Sequence, residues 1–241
     1  MLNQSDADEK IARLRTAVLA ALREPGGNSE PLAKTCRACV ELLPVDGASV
    51  SVTTTRHHRE TLYVTDETIA VVESLQFTLG EGPCVDAFVH RRPVLIADLA
   101  ADAATAWPIF AVEISAYPVG AIFAFPLQVG AITIGAMDLY RHQPGWLTPD
   151  ELALALRVVD LTALALLGLR HGRLDGEWLA DLPDHRTVVH QAVGMLIAEY
   201  RLPPDHALAR LRGYAFVAGR SVHAVAADLT SRRIHPADIT D

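Results

Sequence analysis

Apolar and polar positions follow two different periods along the first part of the chain. Helical spacing marks the N-terminal segment, where apolar residues recur every three or four positions between charged ones: Ile11, Leu14, Val18 and Leu22. Strand spacing marks residues 48–55, where apolar and hydroxyl side chains alternate, and a hairpin partner is predicted at 61–65. We predict an N-terminal amphipathic helix ending before Pro25, followed by a domain that mixes helices with a sheet.

The rest of this domain is predicted from shorter patterns. Helices are expected at 31–43, 68–77, 84–90 and 109–115, with a short strand at 93–97. The apolar run Val119–Met137 is long enough for a membrane helix. Its middle holds Pro126 and Gly130, and β-branched residues crowd its second half, so two buried strands joined by a tight turn fit better.

The remaining residues divide into a long helix, a linker and three short helices. Residues 148–169 are apolar almost all round, which predicts a buried helix of the kind often found between subunits. Gly219 is expected to end the second short helix and Ser221 to cap the third. The predicted divisions are an N-terminal helix at 1–28, a sheet domain at 29–169, a linker at 170–183, a helical domain at 184–234 and a tail at 235–241.

Charge is distributed unevenly between these parts. Residues 184–233 hold seven arginines and four carboxylates, a charge of +3, although the whole chain carries −8 and therefore −11 elsewhere. A guanidinium binds phosphate in a bidentate manner and also stacks on bases, so this asymmetry indicates nucleic acid. Three cysteines without a secretory leader favour the reducing cytoplasm.

Helical geometry selects candidate nucleic-acid contacts. Arg210 and Arg212 flank the apolar face of the second short helix, and Phe216 lies on the Arg212 side, where a ring and a guanidinium suit base stacking. The candidate RNA-binding residues are Arg210, Arg212, Tyr214, Phe216, Arg220 and Ser221. Alternatively, Phe216 packs on another subunit or on the long helix, and the arginines only solvate a small domain. The turn at Gly219 also resembles a DNA-binding helix-turn-helix, but its reading helix offers few side chains for base edges.

The sheet domain offers candidates for sensing rather than catalysis. Cys84 follows the loop Gly80-Glu81-Gly82-Pro83 and opens a helix, which predicts a lowered thiol pKa, while simple packing is the alternative. The candidate pocket or redox residues are Cys84, Glu81, Phe77 and Trp107. Cys36 and Cys39 match a C-x-x-C spacing without a second pair, so no metal ligands are assigned. His190 lacks any nucleotide-binding motif, and no catalytic residues are assigned.

The helical domain resembles the ANTAR family, the RNA-binding module of bacterial transcription antiterminators. The resemblance lies in HQAVGMLIAEY, DHALARLRGYAF and SVHAVAADL, one segment for each helix, and Val193 stands where many members carry lysine. It implies a three-helix bundle that recognises paired RNA hairpins in leader transcripts as a dimer and prevents a terminator from forming.

Residues 29–169 resemble a GAF sensor domain, most clearly in LGEGPCVDA and in AIFAFPL…GAITIGAMDLY. This implies an α+β fold with an antiparallel sheet flanked by helices. The pairing implies a cytoplasmic, homodimeric, signal-controlled regulator without enzymatic activity, which binds RNA hairpins and a small-molecule ligand of unknown identity, and no membrane. The alternatives are a sensor whose C-terminal helices bind DNA or dock a protein, and an enzyme of the sensor-kinase type.

Overall fold

The computed structural model describes residues 4–21, 29–55, 58–171 and 187–239. They form two compact units, which we call the sheet unit and the helical unit. The sheet unit contains a five-stranded antiparallel sheet with the strand order β2-β1-β5-β4-β3. The strands are β1 (Gly47–Thr55), β2 (His58–Val64), β3 (Val94–Ile96), β4 (Ala121–Val129) and β5 (Ile132–Arg141).

Seven helices of the described residues surround this sheet. They are α1 (Gln4–Ala21), α2 (Glu30–Leu42), α3 (Glu67–Leu79), α4 (Pro83–His90), α5 (Leu99–Ala106), α6 (Pro108–Ile114) and α7 (Pro149–His171). The α+β fold class predicted from the sequence is therefore confirmed. Helix α5 was not predicted, because its LAADAATA sequence is built largely of alanine and lacks a stripe of large apolar residues.

The two faces of the sheet have different surroundings. Side chains alternate between faces along a strand, so Val50 and Val52 of β1 join the main apolar core with residues of α1, α2 and α7. Ser49 and Ser51 point to the opposite face, where Cys84 and Ala87 of α4 pack against Ala124 and Ala136. This second face is more polar, and the candidate sensor residue Cys84 lies on it.

The apolar run at 119–140 forms the hairpin of β4 and β5, as predicted. The turn passes through Gly130, whose φ of 60° lies in the left-handed region that favours glycine. Within the described residues, α7 is the one helix long and apolar enough to cross a membrane, and 44% of its apolar window is buried. Helix α7 contributes Ala155, Val158 and Leu166 to the main core, as a core helix of a folded domain does.

The helical unit consists of α8 (Thr187–Tyr200), α9 (Pro204–Val217), α10 (Val222–Thr230) and a short 3₁₀ helix at Pro236–Asp238. All three longer helices contribute to one apolar core, for example through Leu196, Leu211 and Leu229. The predicted ends are confirmed, because Gly219 has a φ of 62° and the Ser221 hydroxyl accepts a hydrogen bond from the Ala224 N–H at 3.1 Å. Ala218 is exposed, since the helix already ends at Val217.

Candidate functional site

A buried cluster of polar side chains lies on the second face of the sheet. Ser49 of β1 pairs in register with Asp138 of β5, and Ser51 pairs with Ala136, so the alternation along both strands places Ser49, Ser51 and Asp138 on one face. All three are fully buried. Because buried polar groups are costly without partners, the neighbouring elements must supply hydrogen bonds.

Glu73 of α3 accepts hydrogen bonds from three side chains on two strands, β1 and β2. Its carboxylate accepts bonds from Ser49 Oγ at 2.7 Å, from Thr61 Oγ1 at 3.1 Å and from Arg59 Nη2 at 2.6 Å. Arg59 also donates from Nε to Ser51 Oγ at 3.1 Å. The Arg59–Glu73 ion pair is almost completely buried, with side-chain exposures of 9% and 3%. This pair joins β2 to α3 across the polar face.

Gln76 connects the other carboxylate to the start of α4. Its Nε2 donates to Asp138 Oδ2 at 2.7 Å, and its Oε1 accepts a bond from the Cys84 N–H at 2.7 Å. Gly82 makes this approach available, because a Cβ there would lie 2.7 Å from the Gln76 side chain and its φ is 132°. The loop glycine therefore allows the side chain of α3 to reach the backbone of α4.

The environment raises the pKa of two acidic groups of the cluster, Asp138 and Cys84. Burial, reinforced by the Glu73 charge, raises the pKa of Asp138 to about 7, although Arg59 acts in the opposite direction. Burial also raises the pKa of the Cys84 thiol well above its usual value. The lowered thiol pKa predicted from the helix N-terminus is therefore wrong, because desolvation outweighs both the helix end and Arg59.

The other predicted sensor residues occupy different positions. Glu81 Oε1 accepts hydrogen bonds from the backbone N–H groups of Ile109 and Phe110 at 3.0 and 2.8 Å, so it satisfies donors in the first turn of α6. Trp107 Nε1 donates to Asp86 Oδ2 at 3.2 Å. Phe77 follows Gln76 on α3, about 100° further round the helix axis. Of the predicted sensor residues, Cys84 is the one that these contacts bring into the polar cluster.

Sequence reasoning missed the residues that build the cluster: Ser49, Ser51, Arg59, Glu73, Gln76 and Asp138. Asp138 carried a usable signal, because it is an isolated charge in a strand that is otherwise apolar, ITIGAMDLY. Such a residue is rarely buried without a partner. Its neighbours are far away in sequence, however, because the strand register brings Ser49 beside it and the packing of α3 brings Gln76.

In the helical unit, the candidate RNA-binding residues lie on or beside α9. The Arg210 guanidinium carbon lies over the Tyr200 ring, 4.0 Å from its centroid, so Arg210 is held against α8. Arg212 is two positions further along α9, about 200° round the axis. Tyr214 is partly buried against the core of this unit.

The end of α9 carries exposed apolar side chains. Phe216 is 48% exposed and Val217 is 87% exposed. Phe216 lies four residues after Arg212, which places the two side chains on neighbouring turns of one face. An open groove of about 740 Å³ lies on an adjacent face, lined by Leu202, His206, Ala209, Arg210, Gly213, Tyr214 and Val217. This surface combines an exposed aromatic ring with a groove that Arg210 lines.

Two candidate RNA-binding residues, Arg220 and Ser221, make contacts within the protein at the turn after α9. Arg220 Nη2 donates to Asp228 Oδ2 at 2.6 Å and to the Ala224 carbonyl oxygen at 3.3 Å. Arg233 Nε lies 3.0 Å from the other oxygen of Asp228. The hydrogen bond from Arg220 and the nearby Arg233 charge lower the pKa of Asp228. Ser221 caps α10, so its hydroxyl has a structural role in this state.

Comparisons with known proteins identify both units. A model described as "GAF domain" matches residues 29–167, and one described as "ANTAR domain" matches residues 179–229. A comparison with curated proteins returned no match.

Two of the similar solved structures are GAF domains of phosphoenolpyruvate-protein phosphotransferases. The one from Acinetobacter has a TM-score of 0.52 and 11% identity, covering 73% of this chain and 99% of that chain. The one from Coxiella burnetii has a TM-score of 0.53 and 15% identity, covering 68% of this chain and 96% of that one. At these identities, the likeness concerns the fold alone.

The match over more than half of the chain establishes the family of the sheet unit, and the second match explains the arginine-bearing helices that follow it. The chain thus belongs to the GAF domain family and joins a GAF sensor to an ANTAR domain, as a regulator with an RNA-binding antitermination function does.

Proposed function

We propose that this chain is a signal-responsive antitermination regulator that binds hairpin RNA in leader transcripts through its helical unit. The observation that carries the proposal is the exposed Phe216 ring four residues after Arg212, next to a groove that Arg210 lines. Unstacked loop bases pack on aromatic rings and guanidinium planes, and phosphates bind the same arginines. Binding of a terminator-competing hairpin would then favour transcription past the terminator.

The modest charge of the helical unit supports a dimeric reader. A charge of +3 over residues 184–233 gives few phosphate contacts per copy. Two copies held at a fixed distance gain affinity for two linked hairpins without any new contact.

Helix α7 offers a surface for pairing with a second copy, because Leu156 and Leu164 are 41% and 55% exposed, with Leu161 partly buried between them. Leu156 and Leu164 are eight residues apart and therefore lie on one stripe of α7. In a symmetric dimer, this stripe would meet its own copy.

Control by the GAF sensor is the remaining part of the proposal. A small-molecule ligand or a change of redox state at the polar cluster would alter contacts between α3, α4 and the sheet, and the change would reach the dimer through α7. The protein would act by binding in the cytoplasm rather than by catalysis. Intact-protein mass spectrometry under native conditions would detect a ligand or a cysteine adduct directly.

Competition binding tests the RNA assignment. The full-length protein is offered labelled hairpin RNA obtained by selection from a random pool, with unlabelled hairpin RNA, single-stranded RNA or duplex DNA as competitor. We expect only hairpin RNA to compete efficiently. Efficient competition by duplex DNA of any sequence would contradict the assignment.

DNA binding is the second candidate, because Gly219 and Ser221 form a tight turn between α9 and α10 of the kind found in helix-turn-helix proteins. Helix α10 exposes His223 but is otherwise lined by short or apolar side chains, a poor set for reading base edges. Sequence-specific competition by duplex DNA in the same experiment would favour this candidate instead.

A further inference from the structure

Three groups that bind transition metals converge inside the sheet unit. A carboxylate oxygen of Glu73, a carboxylate oxygen of Asp138 and Cys84 Sγ all lie within 4.8 Å of one another. We propose that these residues form a buried site for a divalent transition metal ion with the ligand preference of zinc. This inference concerns the sheet unit and does not depend on RNA binding by the helical unit.

The distances are close to those of a bound ion. Zinc takes thiolate ligands at about 2.3 Å and carboxylate ligands at about 2.0–2.2 Å, so its ligand atoms lie roughly 3.5 Å apart in a tetrahedral site. Closing the observed separations to this value requires movements of about 1 Å, which side-chain torsions can supply. Water would complete the coordination.

One carboxylate oxygen of Asp138 lacks a strong hydrogen-bond donor within the part of the chain that the structure describes, which is a second indication of a metal ion besides the ligand distances. Asp138 Oδ2 accepts the hydrogen bond from Gln76, whereas Oδ1 accepts none from an N–H or O–H group among the described residues. The side chain is fully buried, so bulk solvent does not hydrate this oxygen. The Cys84 thiol interacts with the carboxyl group, but S–H is a weak donor. A buried carboxylate oxygen without a strong partner is costly, and a metal ion would satisfy it.

The surrounding hydrogen bonds hold the ligands as outer partners do in known metal sites. Ser49, Thr61 and Arg59 fix the Glu73 carboxylate, and they use three of its roughly four acceptor positions. Gln76 fixes Asp138 and also binds the backbone of Cys84, so one side chain positions two ligands. Such partners orient metal ligands and raise metal affinity.

Charge and ligand type narrow the identity of the ion. Two carboxylates and a thiolate carry −3, and the guanidinium of Arg59 supplies +1, so a divalent ion brings the sum for the buried cluster to zero. Calcium and magnesium prefer six or more oxygen ligands, whereas a thiolate favours zinc, iron or copper. An ion here would join α3, α4 and β5 and would make the sensor responsive to metal supply.

Cobalt substitution tests the site in the full-length protein. The reduced protein is stripped of metal in denaturant, refolded with Co²⁺ and examined for thiolate-to-cobalt charge-transfer absorption, and a parallel sample refolded with Zn²⁺ is analysed for bound metal. We expect one ion per chain in the native protein. The absorption should disappear in Cys84→Ser, and Asp138→Asn should weaken binding by more than the 10–100-fold typical of an outer-partner change.

The control addresses the other cysteines. Cys36 and Cys39 are buried in the apolar core on the other face of the sheet, so the double variant Cys36→Ser/Cys39→Ser should keep the absorption. A native protein that binds no ion, or an absorption that survives Cys84→Ser and vanishes in the double variant, would overturn the proposal. Circular dichroism checks folding. If Cys84→Ser does not fold, an unchanged metal affinity in Asp138→Asn would overturn the proposal equally.

Discussion

The sheet unit buries Arg59 against Glu73, whereas the helical unit keeps Arg220 near its surface beside Asp228. Both ion pairs have an N–O distance of 2.6 Å, but the exposures are 9% and 3% for the first pair and 38% and 18% for the second. In the buried pair each charge depends on its partner, because no solvent replaces it. The exposed pair can open towards a ligand at low cost, since water solvates both charges. Similar geometry therefore suits a fixed framework in one unit and an exchangeable contact in the other.

Removal of the buried arginine should have the largest effect. Arg59→Met leaves the Glu73 charge buried without its counter-ion, so we expect the sheet unit to lose about 3–5 kcal/mol of unfolding free energy. Urea denaturation, monitored by circular dichroism, measures this loss of unfolding free energy. Arg37→Met is the matched control, because Arg37 pairs with Glu30 at 3.0 Å on the exposed side of α2 and should cost about 1 kcal/mol or less. Equal losses of unfolding free energy in both variants would contradict the expectation that the buried pair is the more costly one to break.

The pH dependence of stability should reveal the buried carboxyl group. In the metal-free protein the pKa of Asp138 is about 7, whereas an unfolded aspartate titrates near about 3.9. Between these values the folded protein holds a proton that the unfolded chain has lost. Stability should therefore fall as pH rises through this window, by at most about 1.4 kcal/mol per pH unit.

Asp138→Asn tests this expectation, because it removes the titrating group and keeps its shape. Urea titrations at several pH values across the window should give a flatter profile than the native protein. The Glu73–Arg59 contact is common to both proteins, so the difference between the two profiles isolates Asp138. An unchanged slope would show that other groups cause the pH dependence.

Loss of the exposed ring should affect binding without affecting stability. Phe216→Ala removes a stacking surface worth about 1–3 kcal/mol per base, so hairpin RNA affinity should fall roughly 5- to 150-fold. Val112 of α6 is 68% exposed, lacks a ring and lies in the sheet unit, which makes Val112→Ala the control. Gel-shift titrations and melting curves of both variants separate binding from folding. Unchanged affinity in Phe216→Ala would remove Phe216 from the interface.

The smallest effect is expected for a single phosphate contact. Arg212→Ala should weaken binding to all RNA sequences alike and reduce the slope of log affinity against log salt by about 1. Titrations at several salt concentrations measure this slope. Arg91→Ala, on an exposed residue of the sheet unit, is the control and should leave it unchanged. An unaltered slope in Arg212→Ala would assign Arg212 to structure rather than to RNA.

The sequence predicted the parts of the fold that depend on local periodicity. The α+β class and the β4–β5 hairpin followed from the spacing of apolar residues and from Gly130, and the end of α9 followed from Gly219. Helix α5 was missed because alanines leave little hydrophobic contrast between its faces.

The polar cluster could not be predicted from local sequence patterns. It depends on the pairing of Ser49 with Asp138 and on the hydrogen bond from Gln76 to Asp138, both long-range contacts. The Cys84 pKa was predicted wrongly for the same reason. The sequence of a loop at a helix start does not reveal which residues bury the thiol. Burial decided the sign of the shift.

The side-chain amide of Gln76 has a donor end and an acceptor end, unlike the charged groups of the cluster. Its NH₂ end faces Asp138 and its oxygen faces the Cys84 N–H, and rotation of the amide by half a turn would break both hydrogen bonds together. The side-chain amide of Gln76 therefore couples the Asp138 carboxyl group to the backbone in the first turn of α4. Because coupling between two sites is reciprocal, a displacement of α4 would also disturb the hydrogen bond to Asp138.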